Sequence, residues 1–271
     1  MVRVVTASEY QDRTESGRSH PMMCRCENEL GVELDVYVKH VGFHEELVAD
    51  HLTAELIANC FARDLGIPAA EPCLVQLTEE FVAGLPEEDF SQLALDEMKK
   101  EAPIAFGSVA FPTVRRWTDK SLLHKKQRAE AANLYLFDTI TENSDRGLLN
   151  PNLLVSGDDF KVIDFGHCFQ RCHEDTEYGE LTFPWQTGGI LNHYKGDLQH
   201  VLFEALKPID DAFICSFTSM LQGVTDGQIE NYIDYVPESW GQNTACMVAE
   251  FLVDARDNVT AFADRVREVL Q

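Results

Sequence analysis

The stretch NSDRGLLNPNLLVSGDDFKVIDFG, residues 143–166, decides how the rest of the chain is read. Leu153-Leu154-Val155 and Phe160-Lys161-Val162-Ile163 flank Gly157-Asp158-Asp159, the pattern of two short strands joined by a tight turn. Upstream, Ser121 to Ile140 reads as a long helix with Leu122, Ala129, Asn133, Leu136 and Ile140 along one stripe. A helix therefore delivers Asp145 to a loop, with Asn150 and Asn152 five and seven positions later. The hairpin then returns the chain to Asp164, followed by Phe165 and Gly166.

Taken singly, these aspartates are unremarkable, because Asp is common in turns and at strand ends. Taken together they supply what phosphoryl transfer needs. One carboxylate orients a hydroxyl nucleophile and accepts its proton, and oxygen ligands hold Mg²⁺ against the phosphates. Asp145 fits the first role and Asp164 the second, with either Asn150 or Asn152 as a further metal ligand. Asn150 has the usual spacing, whereas Asn152 directly precedes the apolar strand and is slightly preferred. Arg146 holds either the loop or a phosphate.

Working outward toward the N-terminus, Leu34 to Lys39 alternates apolar and polar residues at the strand period of two. His44 to Leu65 predicts a helix whose apolar positions cover more than one face, so it packs on two sides. Gly66 and Pro68 end it. Glu71–Leu77 and Ile104–Phe111 predict two further strands, and Met22 and Met23 read as strand core. Lys39 ends its strand where a cation meets nucleotide phosphates. Glu55 sits between Leu52 and Leu56, too apolar a neighbourhood for a carboxylate without a partner. An ion pair between them satisfies both, and a strand lysine paired with a helix glutamate is the arrangement of protein kinases. From Asp197 onward the chain reads as mostly helical. A sheet-rich first part and a helical second part predict two lobes with a cleft between them.

On these residues the chain resembles the HipA-like kinases, relatives of the protein-kinase and phosphoinositide-kinase fold. The resemblance runs from about Gly17 to Phe169 and rests on YVKH (37–40), AELIANCFARDLGIP (54–68), IAFGS (104–108), NSDRGLLNPNLL (143–154) and VIDFG (162–166). It implies an α+β, bilobal kinase-like fold, with an N-lobe over 1–108 and a mainly helical C-lobe over 109–271. It further implies Lys39 as the phosphate-binding lysine, Glu55 as its partner, Asp145 as catalytic base and Asp164 as metal ligand. The Ile104–Phe111 strand would run into a hinge whose backbone binds adenine, placing Phe106, Gly107 and Ser108 at the nucleotide. No GxGxxG loop precedes Lys39. The substitute is Ser16-Gly17-Arg18-Ser19-His20-Pro21, with Ser16, Gly17 and Ser19 as phosphate-loop candidates. The implied activity is ATP- and Mg²⁺-dependent transfer of a phosphoryl group to a protein Ser or Thr hydroxyl. A small-molecule kinase and a catalytically silent kinase-fold binding protein are the alternatives.

Composition bounds the rest. The 271 residues carry 46 acidic and 22 basic side chains, a net charge of −24, which disfavours nucleic acid and anionic membrane surfaces as partners. No run of about 18 uncharged residues could span a bilayer, and the N-terminus lacks an export signal. The eight cysteines then read as reduced thiols and the protein as cytoplasmic. Cys24-x-Cys26 is too tight for a zinc knuckle, and His167-Cys168 with Cys172-His173 lacks a second knuckle to pair with. Neither HExxH nor GxSxG occurs.

Overall fold

The computed structural model describes residues 2–14, 19–41, 43, 47–100, 104–118, 121–173, 182–190 and 199–270. Its first part is a closed five-stranded barrel. The strands are β1 (Arg3–Arg13), β2 (Met22–Glu27), β3 (Glu33–Lys39), β4 (Pro72–Gln76) and β5 (Ile104–Val109). They run in the order β1-β2-β3-β5-β4, and β1 closes the barrel by pairing parallel to β4. Alternate residues face inward: Met22, Cys24 and Cys26 on β2, Val36 and Val38 on β3, Cys73 and Val75 on β4. Gly107 on β5 is a glycine for lack of room. A Cβ there would lie 2.6–2.7 Å from Val75 Cγ2, Cys73 Sγ and Val36 Cγ1.

Helix α1 (Ala49–Asp64) follows β3, and the short helices α2 (Glu79–Ala83) and α3 (Gln92–Met98) lie between β4 and β5. As the apolar pattern predicts, α1 is packed on more than one side, being buried without interruption from Leu52 to Ala62. Its ends are tied to the helical part of the molecule. Thr244 Oγ1 donates to Asp50 Oδ1 at 2.6 Å, and Tyr232 Oη to Asp64 Oδ2 at 2.6 Å.

Beyond the barrel come β6 (Arg115–Arg116), α4 (Arg128–Ile140), and the hairpin β7 (Leu153–Ser156) and β8 (Asp159–Val162), which form a sheet in the order β6-β7-β8. Ser156 pairs with Asp159, leaving Gly157-Asp158 at the tip, where φ of +62° calls for glycine. Helices α5 (Phe203–Leu206), α6 (Asp211–Gln222), α7 (Asp226–Asp234), α8 (Asn243–Asp257) and α9 (Val259–Leu270) complete the chain. One apolar cluster joins α1, α4, the hairpin and these helices; a second fills the barrel.

Two predicted boundaries move. Helix α1 begins at Ala49 rather than His44: Leu47 and Val48 are not helical, and residues 44–46 lie outside the described set. The long helix begins at Arg128 rather than Ser121. A 3₁₀ turn, Lys125–Gln127, precedes it, and the Gln127 side chain accepts from the His124 backbone N–H at 3.0 Å, which sets the start there. Ser121 is used elsewhere, its Oγ accepting from Thr118 N. Among the described residues all eight cysteines are unpaired thiols, and no helix is long and apolar enough to cross a membrane.

Candidate active site

Three elements bring Lys39, Glu55 and Asp164 together from widely separated parts of the sequence. Lys39 ends β3, Glu55 lies on the buried face of α1, and Asp164 follows β8. Lys39 Nζ donates to Glu55 Oε2 at 2.7 Å and Oε1 at 3.0 Å, and to Asp164 Oδ1 at 2.9 Å. Lys39 is only 7% exposed and Glu55 2%. Burial alone would favour a neutral amine, but the two carboxylates outweigh it and hold the Lys39 pKa above its ordinary value. Burial pushes Glu55 up to about 7 against the pull of Lys39. Burial would likewise raise Asp164, but the Lys39 ammonium reverses this and holds it below the usual carboxylate range. Gly166 lies against the same cluster: a Cβ there would be in ordinary contact, 3.4 Å from Glu55 Oε2 and 3.9 Å from Asp164 Oδ1.

Asp145 stands beside this cluster. Both candidate asparagines bind the same oxygen of its carboxylate: Asn150 Nδ2 donates to Oδ2 at 3.0 Å and Asn152 Nδ2 at 2.9 Å. They differ in surroundings. Asn150 is exposed, whereas Asn152 directly precedes β7, and its carbonyl accepts from Ile163 N at 3.2 Å, next to Asp164. Asn152 (φ +45°) and Asp164 (φ +60°) both adopt the left-handed conformation. Asn and Asp tolerate it best, and such outliers gather at functional sites. Burial and the charge of Asp164 raise the Asp145 pKa above its ordinary value.

Lys39 thus faces Glu55 and Asp164, with Asp145 close enough to sense Asp164: three carboxylates and one ammonium. Hard oxygen donors with surplus negative charge fit a divalent cation. Among the described residues no three His, Cys, Asp or Glu side chains converge as a closed metal site. That is compatible with Mg²⁺, which characteristically takes one or two carboxylates and fills its shell with water and phosphate oxygens.

The loop is held by a residue the motif reading missed. Asp138, on α4, is fully buried and accepts from Arg146 Nε at 2.5 Å, Asn143 Nδ2 at 2.8 Å and His200 Nε2 at 3.0 Å. Arg146 Nη1 then donates to the carbonyls of Asn152 at 2.7 Å and Ile163 at 3.2 Å, each one residue from or within the pair Asn152 and Asp164. Of the two roles read for Arg146, the structure places it in the first: it is 1% exposed and bound to the loop, not open to a phosphate. Phe165 packs between them, 5.6 Å from Phe137 and 5.1 Å from the Arg146 guanidinium.

The remaining candidates fall elsewhere. Phe106 and Gly107 lie inside β5, paired to Lys39 and Val38 on one side and to Leu74 and Cys73 on the other; Ser108 pairs with Tyr37 and Pro72. Their backbone groups serve the ladder, which extends until Ala110 N donates to Asp35 O. Backbone able to meet a ligand therefore follows Ala110. Ser19 is described as a half-buried bend residue, while Ser16 and Gly17 lie outside the described residues. Cys24 and Cys26 point into the barrel core. His51 packs against His167 and His173 with ring centroids 5.5 and 5.0 Å apart.

Residues 7–183 match the family model described as HipA-like kinase. No curated protein matches the chain in sequence. Among solved structures the chain is similar to the Helicobacter pylori proinflammatory kinase CtkA, with a TM-score of 0.56 and 12% identity over 96% of this chain and 95% of that one. A Golgi casein kinase with Mn/ADP bound gives 0.46 and 12% over 99% and 75%. Hydra Fam20 with sugar gives 0.46 and 10% over 98% and 87%. The likeness to CtkA shows the fold, which is protein-kinase-like and α+β.

Proposed function

The chain belongs to the HipA-like kinase family, and from that premise we propose that it transfers the γ-phosphoryl group of ATP, with Mg²⁺, to a protein Ser or Thr hydroxyl. In this reading the barrel and α1 form an N-lobe over 1–108, residues 109–271 form the C-lobe, and the nucleotide lies between them. The observation that carries the reading is the convergence of Lys39, Glu55 and Asp164 beside an Asp145 whose carboxylate is held by two amides.

Each side chain has a definite task. Lys39, fixed by Glu55, holds phosphate oxygens. Asp164 and the side-chain oxygen of Asn152 hold the cation. When bound, Mg²⁺ neutralises charge on the phosphate oxygens. Asn150 fixes the orientation of the Asp145 carboxylate, and Asp145 aligns the acceptor hydroxyl and takes its proton. A raised pKa suits that last task, because a base works best when its pKa is not far below the operating pH. The adenine edge is met by backbone after Ala110 rather than by Phe106 or Gly107. The family resemblance supports the protein acceptor.

The test compares two isosteric variants. Asp145→Asn keeps Mg·ATP affinity near wild type but lowers transfer by about 10²–10⁴-fold, since an amide orients a hydroxyl without accepting its proton. Asp164→Asn weakens Mg²⁺-dependent nucleotide binding as well. Calorimetry with Mg·ATP and mass spectrometry of autophosphorylation read the two effects. The assignment fails if Asp145→Asn loses nucleotide binding while Asp164→Asn keeps it, or if both transfer like wild type.

A further inference from the structure

Arg13 ends β1 at the end of the barrel that carries Lys39. The strand register runs from Arg13 to Met22, from Met22 to Val38 and from Val38 to Gly107, and Lys39 follows Val38. The Arg13 side chain is half-buried, and its guanidinium donates to carbonyls on three chain segments that meet there. Nε donates to His20 O at 3.2 Å, between β1 and β2. Nη2 donates to Phe43 O at 3.2 Å, in the segment that follows Lys39, and Nη1 to Asp89 O, between α2 and α3.

Packing holds the fork in place. The Arg13 guanidinium carbon lies 4.6 Å from the Phe90 ring centroid and 5.4 Å from that of Phe43. Those rings are 5.6 Å apart and belong to two of the segments that Arg13 binds. Tyr10 ties the α2–α3 connection to β1 a second time, its hydroxyl donating to Asp89 Oδ2 at 2.6 Å. Thr14 N donates to Pro21 O at 3.0 Å, which closes the β1–β2 connection next to Arg13. A glycine-rich phosphate loop shapes itself, because its glycines let successive backbone N–H groups converge on an anion. From Thr14 to Pro21 this chain has one glycine, Gly17, so its connection needs a brace from outside. Five N–H donors in a fixed planar fork suit that task, and a compact ammonium cannot reach three separated carbonyls in the same way.

We infer that Arg13 is a positioning residue for nucleotide binding. It sets the β1–β2 connection and the segment after Lys39 relative to each other, so that backbone between β1 and β2 meets the phosphates that Lys39 holds. The inference rests on the kinase reading, since it needs a nucleotide in the cleft. Arg13 acts through the carbonyls that it binds, not by contact with the phosphates. Its effect is therefore confined to ligands that carry phosphates, and adenosine is indifferent to it.

Calorimetry with Mg·ATP and with adenosine separates this role from a merely structural one. Arg13→Lys keeps the charge and most of the stem but not the fork. It weakens Mg·ATP binding by about ten-fold, the size of one lost hydrogen bond to a charged group, and leaves adenosine binding within about two-fold. In turnover the same variant raises KM for ATP by about ten-fold with kcat near wild type. Hydrogen exchange of the wild-type protein supplies a reading that needs no variant: Mg·ATP slows exchange of the amides at Thr14, Ser19 and His20, and adenosine does not. Three results would each overturn the inference while leaving the kinase reading intact. They are equal losses for the two ligands in Arg13→Lys, an unchanged Mg·ATP affinity, and equal exchange at those amides with either ligand. A wild-type protein that binds no Mg·ATP removes the kinase reading and the inference with it.

Discussion

Two buried ionic clusters both reach Phe165, Arg146 over its ring and Glu55 at its backbone, and they are built to opposite specifications. At Asp138 the charges close: one carboxylate, one guanidinium and a histidine whose Nδ1 accepts from Leu202 N at 3.1 Å, which leaves Nε2 to carry the proton donated to Asp138. Every member is sealed from solvent. At Lys39 the charges do not close, because one ammonium serves two carboxylates and Asp145 stands nearby. The Asp164 side chain also remains 28% exposed. A closed cluster is an anchor. An open one holds unused capacity for a cation, at a cost in stability that a purely structural site would have no reason to bear.

The largest effect that can break this contrast is on stability. Asp138→Asn leaves Arg146 as a buried cation without its counter-charge, so unfolding in urea should lose about 3–5 kcal/mol. Asp164→Asn should cost about 1 kcal/mol or less, since Glu55 still neutralises Lys39 and Asn accepts the left-handed backbone at that position. Equal losses would mean that both clusters are structural.

The same contrast shows what the sequence made legible. The alternating strand at 34–39 was readable, as were the strand expected over 104–111, which ends at Val109, the hairpin, and the Lys39–Glu55 pairing, because a carboxylate among apolar helix positions needs a partner. Asp138 carried the same signal, lying between Phe137 and Ile140, but no motif drew attention to it. β1 was not legible. Of its 11 residues only Val5 and Ala7 are buried, and two irregularities in its pairing with β2 break the period of two. α2 and α3 are too short to show a helical period. The packing of Gly107 was not legible either: three side chains of the barrel fill the space beside it, and Phe106, Gly107 and Ser108 are paired on both sides of their strand.

The next effect sharpens the open cluster from within. Lys39→Ala and Glu55→Ala should each weaken Mg·ATP binding, and the double variant should lose less than the sum, with an interaction energy of about 0.5–3 kcal/mol. Additive losses by calorimetry would show that the two residues act separately. Asn152→Ala should raise the Mg²⁺ concentration needed for half-maximal turnover. Asn150→Ala, whose native side chain donates to the Asp145 carboxylate, should lower turnover at unchanged Mg²⁺ dependence. The reverse pattern would exchange their roles.

The smallest effect belongs to the closed cluster and is read by pH. Burial lowers the His200 pKa below its ordinary value, although Asp138 pulls it the other way; Arg146 adds to the lowering, and the Tyr135 ring packs 5.1 Å away. A histidine depressed in the folded state binds its proton more readily once unfolded. Its contribution to stability is therefore complete above the unfolded pKa of about 6.5 and is lost as pH falls from there toward the folded value. Asp138, also depressed, acts in the same direction but only below the ordinary carboxylate range, so the two windows separate. His200→Gln can reproduce both hydrogen bonds, the amide donating to Asp138 and its oxygen accepting from Leu202 N, without titrating. Unfolding free energies measured between about pH 6.5 and 5 should then fall less steeply than in wild type, by at most about 1.4 kcal/mol per pH unit for the one proton removed. Some slope should persist, since His40, His51 and His173 are depressed by burial too. An unchanged slope would mean that His200 is already charged at neutral pH and that the Asp138 cluster is not closed.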